Sequence, residues 1–148
     1  MLNSRAILNE CLNGKRRLFG RPNEGRRKLH MAGPARLTTH VLDTTHGKPA
    51  AGMRLDLLMV HGDHTHHIWS GHTNADGRVD QPLLEGDRFH LGSYELIFHV
   101  GQYFERLGVD LATPFLDTVP VRFVLSEMAH YHVPLLVSPY GYSTYRGS

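Results

Sequence analysis

His130-Tyr131-His132-Val133-Pro134-Leu135-Leu136-Val137 reads as a β-strand, because its residues alternate with a period of two. Tyr131, Val133, Leu135 and Val137 share one face, which suits the core of a sandwich. His130, His132, Pro134 and Leu136 fall on the opposite, outer face. The same parity in Leu37-Thr38-Thr39-His40-Val41-Leu42 turns Leu37 and Val41 inward and Thr38, His40 and Leu42 outward. Histidines beside leucines on an outer face imply a surface covered by another subunit, since it would otherwise be an exposed apolar patch.

Outward from these two strands the period stays at two. In Met53-Arg54-Leu55-Asp56-Leu57-Leu58-Met59 the odd positions are apolar, with Arg54 and Asp56 facing away. Tyr94, Leu96, Phe98 and Val100 alternate with Glu95, Ile97 and His99, and Val119, Val121, Phe123 and Leu125 with Pro120, Arg122, Val124 and Ser126. Breakers separate the runs: Thr45-His46-Gly47-Lys48-Pro49, His61-Gly62-Asp63, Asn74-Ala75-Asp76-Gly77 and Ser138-Pro139-Tyr140-Gly141. Short alternating strands between such turns predict an all-β sandwich or barrel. One or two helical turns fit Gln102–Leu107.

The chain of 148 residues is long enough for one domain with a proper core and too short for two. Its formal charge of +2 is unevenly spread. Residues 1–30 carry eight Lys/Arg against two Glu; the rest carries eight basic residues against twelve acidic ones, a net −4. A nucleic-acid role read from the pI near 8.9 is therefore excluded for the strand-bearing part. Residues 1–35 lack periodicity, are rich in Arg, Gly, Asn and Pro, and read as a disordered basic leader to a domain over 36–148. Met31-Ala32-Gly33 would make a natural start. No apolar run approaches the ~18 residues of a membrane span. The leader lacks the apolar core of a secretory signal, and Arg146-Gly147-Ser148 is not a peroxisomal address, so a cytoplasmic location is expected.

Twelve histidines raise the possibility of a metal. The densest cluster, His61-Gly62-Asp63-His64-Thr65-His66-His67, places His64 and His66 on one face of a strand as half of a zinc site. It spans a Gly-Asp turn, however, where histidines are simply solvated, and no H-E-x-x-H or cysteine pair accompanies it. A serine nucleophile has no G-x-S-x-G elbow to support it. The sole cysteine, Cys11, lies in the leader, so neither a cysteine nucleophile nor an intrachain disulfide is expected.

The C-terminal run, continuing through Ser138-Pro139-Tyr140-Gly141-Tyr142-Ser143-Thr144-Tyr145-Arg146-Gly147-Ser148, resembles the signature of the transthyretin-like 5-hydroxyisourate hydrolases. Leu37-Thr38-Thr39-His40-Val41-Leu42-Asp43 is similar to that family's first strand. Thr73-Asn74-Ala75-Asp76-Gly77-Arg78, followed by Pro82-Leu83-Leu84, is similar to its arginine-bearing turn. The resemblance covers residues 36–148, and its Tyr-Arg-Gly-Ser terminus separates the enzymes from transthyretin proper, the hormone carrier. It implies two four-stranded sheets with one short helix, and a homotetramer with active sites in a central channel. It implies no metal or organic cofactor. The family's catalytic residues fall on His40, Arg78, His132 and Ser148, with His40, Arg78 and Tyr145 against the substrate.

The implied reaction opens the six-membered ring of 5-hydroxyisourate by water attack on a ring carbonyl. It needs a base, donors for the oxyanion and a means of orienting a planar heterocycle. His132 is assigned as the base. Arg78 would disfavour its imidazolium and bind carbonyl oxygens through its planar fork. His40 would position the water, donate to substrate or share the base role. Ser148 would act by its hydroxyl or its terminal carboxylate, with Gly147 conformationally free to redirect it. Two other classes stand beside the hydrolase: a transthyretin-like channel that binds a small ligand without turnover, and a metal-binding protein using His61–His67. The bulk of Tyr145 and the polarity of Arg78 oppose the first.

Overall fold

The computed structural model describes residues 33–110 and 112–147, so readings that concern residues 1–32 of the leader and Ser148 lie outside the described residues. Among the described residues, nine strands form two sheets: β1 (Arg36–Asp43), β2 (Lys48–Pro49), β3 (Arg54–His61), β4 (His64–His72), β5 (Leu84–Glu85), β6 (Gly92–Phe98), β7 (Val119–Leu125), β8 (His130–Ser138) and β9 (Gly141–Thr144). One sheet runs β2-β1-β8-β9, with the two-residue β5 also paired to β1; the other runs β4-β3-β6-β7. The sandwich expected from parity and resemblance is therefore present, with β5 as a small fifth strand on the first sheet. Strands β1 and β8 run parallel in register from Arg36 opposite His130 to Asp43 opposite Val137. Parity assigned each strand's faces; this pairing sets which residues stand side by side.

The inward residues behave as the alternation requires. Leu37, Val41, Leu135 and Val137 of the first sheet and Leu55, Leu57, Leu96 and Phe98 of the second belong to one buried cluster. Full burial of such side chains is worth about 1.5–3 kcal/mol each. The helix α1 (Val100–Arg106) begins two residues before the expected turn and buries Val100, Tyr103 and Phe104. It is tied to β1 and to the turn before β3. The Tyr103 hydroxyl donates to the buried Asp43 carboxylate at 2.9 Å, and the Arg106 guanidinium donates to the carbonyls of Ala51 and Gly52.

Asp56 departs from the simple alternation. It points away from the core as expected, yet only 9 % of its surface is exposed. Ser70 and His99 donate hydrogen bonds to its carboxylate, and Arg54 forms an ion pair with it at 3.3 Å. Burial opposes ionisation, but these partners outweigh it and pull the carboxyl down to about 2. A charged residue on an outer face is thus covered when its neighbours supply donors.

Candidate active site on the outer face of the first sheet

Backbone register builds this face in rows, because residues paired across strands point to the same side. One row holds Arg78, His40 and Pro134: Arg78 forms an antiparallel bridge with His40, which stands beside Pro134 on β8. The next row holds Thr38, His132 and Gly147, the last joined to His132 by an antiparallel bridge. A third pairs Arg36 with His130. Three predicted residues, His40, Arg78 and His132, are brought together on one face from segments far apart in the chain.

Local chemistry explains why Arg78 is there. The Asn74 side-chain oxygen accepts from the backbone N–H groups of Asp76 and Arg78, closing an Asx-type turn. Gly77 adopts φ +70°, and its carbonyl accepts from the Val41 N–H at 2.8 Å, docking the turn on β1. A Cβ on Gly77 would lie 2.4 Å from the Val41 carbonyl oxygen, so both conformation and space require glycine. Arg78 leaves this turn beside His40.

A cavity of about 430 Å³ opens on the same face, with Arg36, Thr38, Arg78, Asp80, His130 and His132 among its walls. The Thr38 hydroxyl lies 2.9 Å from Nδ1 of His132 and 2.9 Å from Nε2 of His130. Nδ1 of His132 is thereby engaged, and Nε2 is its remaining nitrogen for a ligand or water. Burial lowers the pKa of His132, and the charges of Arg78, His130 and His40 lower it further. His40 is lowered by burial and then by Arg78, with Asp76 pulling the other way. Both imidazoles are thus held neutral further into the acid range than an ordinary histidine, as a general base near neutral pH requires.

That sign fixes a pH dependence. A base works when unprotonated, so activity falls as pH drops through its folded-state pKa. Because that pKa is lowered, the acid limb of kcat/KM should lie below the ordinary histidine value of about 6.5. A pH profile measured from the acid side checks this; an inflection at or above the ordinary value would contradict it.

Gly147 has a steric reason to be glycine. Its N–H donates to the His132 carbonyl at 2.8 Å, and a Cβ there would lie 2.6 Å from Cδ2 of the His132 ring. The residue is glycine because the terminal segment is packed against the imidazole. Gly147→Ala should push that ring aside and lower turnover by about 10²-fold, the cost of a misplacement near 1 Å. Thermal stability should barely change, and paired kinetic and melting measurements test the separation.

Tyr145 and Ser148 differ from the trio. The register of β8 with β9, continued to the bridge at Gly147, sets Tyr145 opposite Pro134, on the face of His40 and His132. Within a single chain, however, it is 61 % exposed and borders a different cavity, of about 300 Å³, with Phe123, Tyr131 and Arg146. Ser148 lies outside the described residues, adjoining a glycine that touches His132. Two residues that the resemblance did not supply are placed at the site, Thr38 and His130. Parity had already turned both outward; the register of β1 with β8 was the missing information.

Other reactive clusters give no comparable arrangement. Ser70, Asp56 and His99 touch, but the carboxylate stands between hydroxyl and imidazole, and Ser70 donates to it. His67, 2.6 Å from the Ser70 oxygen, then acts as donor and not as base. The His61–His67 segment forms the tip of the β3–β4 hairpin, with Gly62 at φ +57° and the rings of His61 and His66 edge-on at 5.7 Å. Among the described residues no three His, Cys, Asp or Glu converge as metal ligands, and no helix is long and apolar enough to cross a membrane.

Comparisons with known proteins agree with the fold. The HIUase/Transthyretin family model matches residues 37–147. The chain is 58 % identical over 120 residues to 5-hydroxyisourate hydrolase 2 of Rhizobium meliloti (strain 1021), covering 80 % of this chain and all of that protein. The Klebsiella pneumoniae 5-hydroxyisourate hydrolase structure superposes with a TM-score of 0.66 at 33 % identity, covering 77 % of this chain and 99 % of that one. A crystal structure of (S)-allantoin synthase gives 0.73 at 45 % identity over 78 % of this chain, which spans only 44 % of that protein.

Proposed function

The chain belongs to the HIUase/Transthyretin family, and from that premise we propose that it is a 5-hydroxyisourate hydrolase whose active site is the face holding His40, Arg78 and His132. The observation that carries the reading is His132. Its Nδ1 is held by Thr38, its pKa is lowered by burial and by Arg78, and it lines a polar cavity with that arginine.

In the reaction, Nε2 of His132 takes a proton from water as the water oxygen attacks the ring carbonyl. Arg78 presents two parallel N–H donors to carbonyl oxygens and to the developing oxyanion. Its charge also keeps His132 neutral before the step. His40, beside Arg78, orients the water or donates to substrate. The carbonyl carbon then expels the ring nitrogen, which must be protonated to leave. Tyr145 and Ser148 complete the pocket when chains meet across this face in a homotetramer, placing the phenol and the terminal residue beside the trio. Half-buried Leu42 and Leu136 on the same face supply apolar area for that assembly.

The test is ultraviolet spectroscopy on the full chain with a free C-terminus. Freshly generated 5-hydroxyisourate should disappear faster than its spontaneous decay, and a thyroid-hormone analogue should bind weakly or not at all. Tight binding of the analogue without any acceleration would instead identify a ligand-carrying channel.

A further inference from the structure

The Thr38 hydroxyl sits between two imidazole nitrogens, 2.9 Å from each. A hydroxyl has one proton, so it can donate to only one of them and must accept from the other. The Tyr131 carbonyl, at 3.4 Å, is the weaker alternative acceptor. If Nδ1 of His132 donates to Thr38, then Thr38 donates to Nε2 of His130, and Nε2 of His132 keeps a free lone pair. If the chain runs the other way, His132 carries its proton on Nε2 and cannot act as a base there. The two directions are the two ends of one proton transfer. The imidazole centroids are 6.5 Å apart, so the hydroxyl is the bridge between them.

We propose that Thr38 and His130 form a proton relay behind the catalytic base: Thr38 is a positioning residue that presents His132 with Nε2 free, and His130 receives the proton His132 sheds from Nδ1. This rests on the hydrolase reading with His132 as base.

The step balances without any added reactant. As the water oxygen bonds to the ring carbonyl carbon, its proton moves to Nε2 of His132. The Nδ1 proton passes to the Thr38 oxygen, and the Thr38 proton passes to Nε2 of His130. His132 is left neutral with a proton on Nε2, and the positive charge rests on His130. When the carbon–nitrogen bond breaks, that Nε2 proton goes to the leaving ring nitrogen, and the relay runs backward to reset both imidazoles. His132 thus changes from base to acid without holding a full positive charge beside Arg78.

The surroundings suit such a shuttle. His132 is faced by Arg78 and His40, and His130 by Arg36; Asp80 stands in the same cavity wall and Glu85 pairs with Arg36 on the neighbouring strand. Both imidazoles are lowered first by burial and then by nearby positive charge, so they are matched in direction.

The experiment measures kcat and KM for wild type, Thr38→Val, Thr38→Ser, His130→Gln and the Thr38→Val/His130→Gln double variant, with His132→Ala alongside. Thr38→Val and His130→Gln should each lower kcat about tenfold to hundredfold, up to the lower end of the range for acid–base groups, with KM little changed. Thr38→Ser should restore most of the rate, because it keeps the hydroxyl. The double variant should be no slower than the slower single one, as for residues acting in one unit. Normal kcat in Thr38→Val, failure of serine to restore it, or losses that multiply would each overturn the relay. If wild type accelerates hydrolysis and His132→Ala does not while Thr38→Val is normal, the relay alone falls. If wild type gives no acceleration, or His132→Ala matches it, the reading beneath the relay falls with it.

Discussion

His132→Ala should lower turnover by about 10²–10⁴-fold, the range for loss of a general base. The loss should be confined to chemistry. His132 lies on the outer face of β8, outside the buried cluster, and its backbone carbonyl, which accepts from Gly147, survives the substitution. Secondary structure and melting temperature should therefore stay close to wild type. Substrate binding should change less than kcat, because the lost group acts on the water in the transition state. Steady-state kinetics with circular dichroism on the same preparation check both halves. A variant that hydrolyses nearly as fast as wild type would move the base role to His40.

Arg78→Lys separates geometry from charge. Lysine keeps the positive charge that disfavours the His132 imidazolium, but it loses the planar fork that meets two oxygens at once. If the fork stabilises the oxyanion, kcat/KM should fall by about 10²–10³-fold, as on loss of an oxyanion donor. The acid limb of the pH profile should stay in place, because the nearby charge persists. Near-wild-type kinetics would leave Arg78 only its electrostatic role. The Asx turn that positions residue 78 uses backbone groups and Asn74, so either side chain can be carried there.

Much of this was legible in the sequence, and the gaps have physical causes. Alternation in β1 and β8 assigned core and outer faces correctly, because one-sided burial imposes a period of two on any strand. Parity does not say which strands are neighbours or how they are staggered. Thr38 and His132 are 94 residues apart, and only the parallel pairing shows that they touch. Hence His130 and Thr38 were turned to the right side and still not assigned to the site. The steric need for glycine at 147 is hidden for a related reason: a glycine needed for space looks the same in sequence as one needed for conformation. Asp56 was read as facing outward and is nonetheless buried, since its cover comes from Ser70 and His99 on two other segments.

The most direct test of the central claim, that this face hydrolyses 5-hydroxyisourate, is the decay of the freshly generated substrate against protein concentration. Wild type and His132→Ala would be followed side by side. A decay rate that rises in proportion to wild-type protein, with the variant near the spontaneous rate, is the predicted result. Spontaneous decay at every wild-type concentration, or equal acceleration by both proteins, would contradict it.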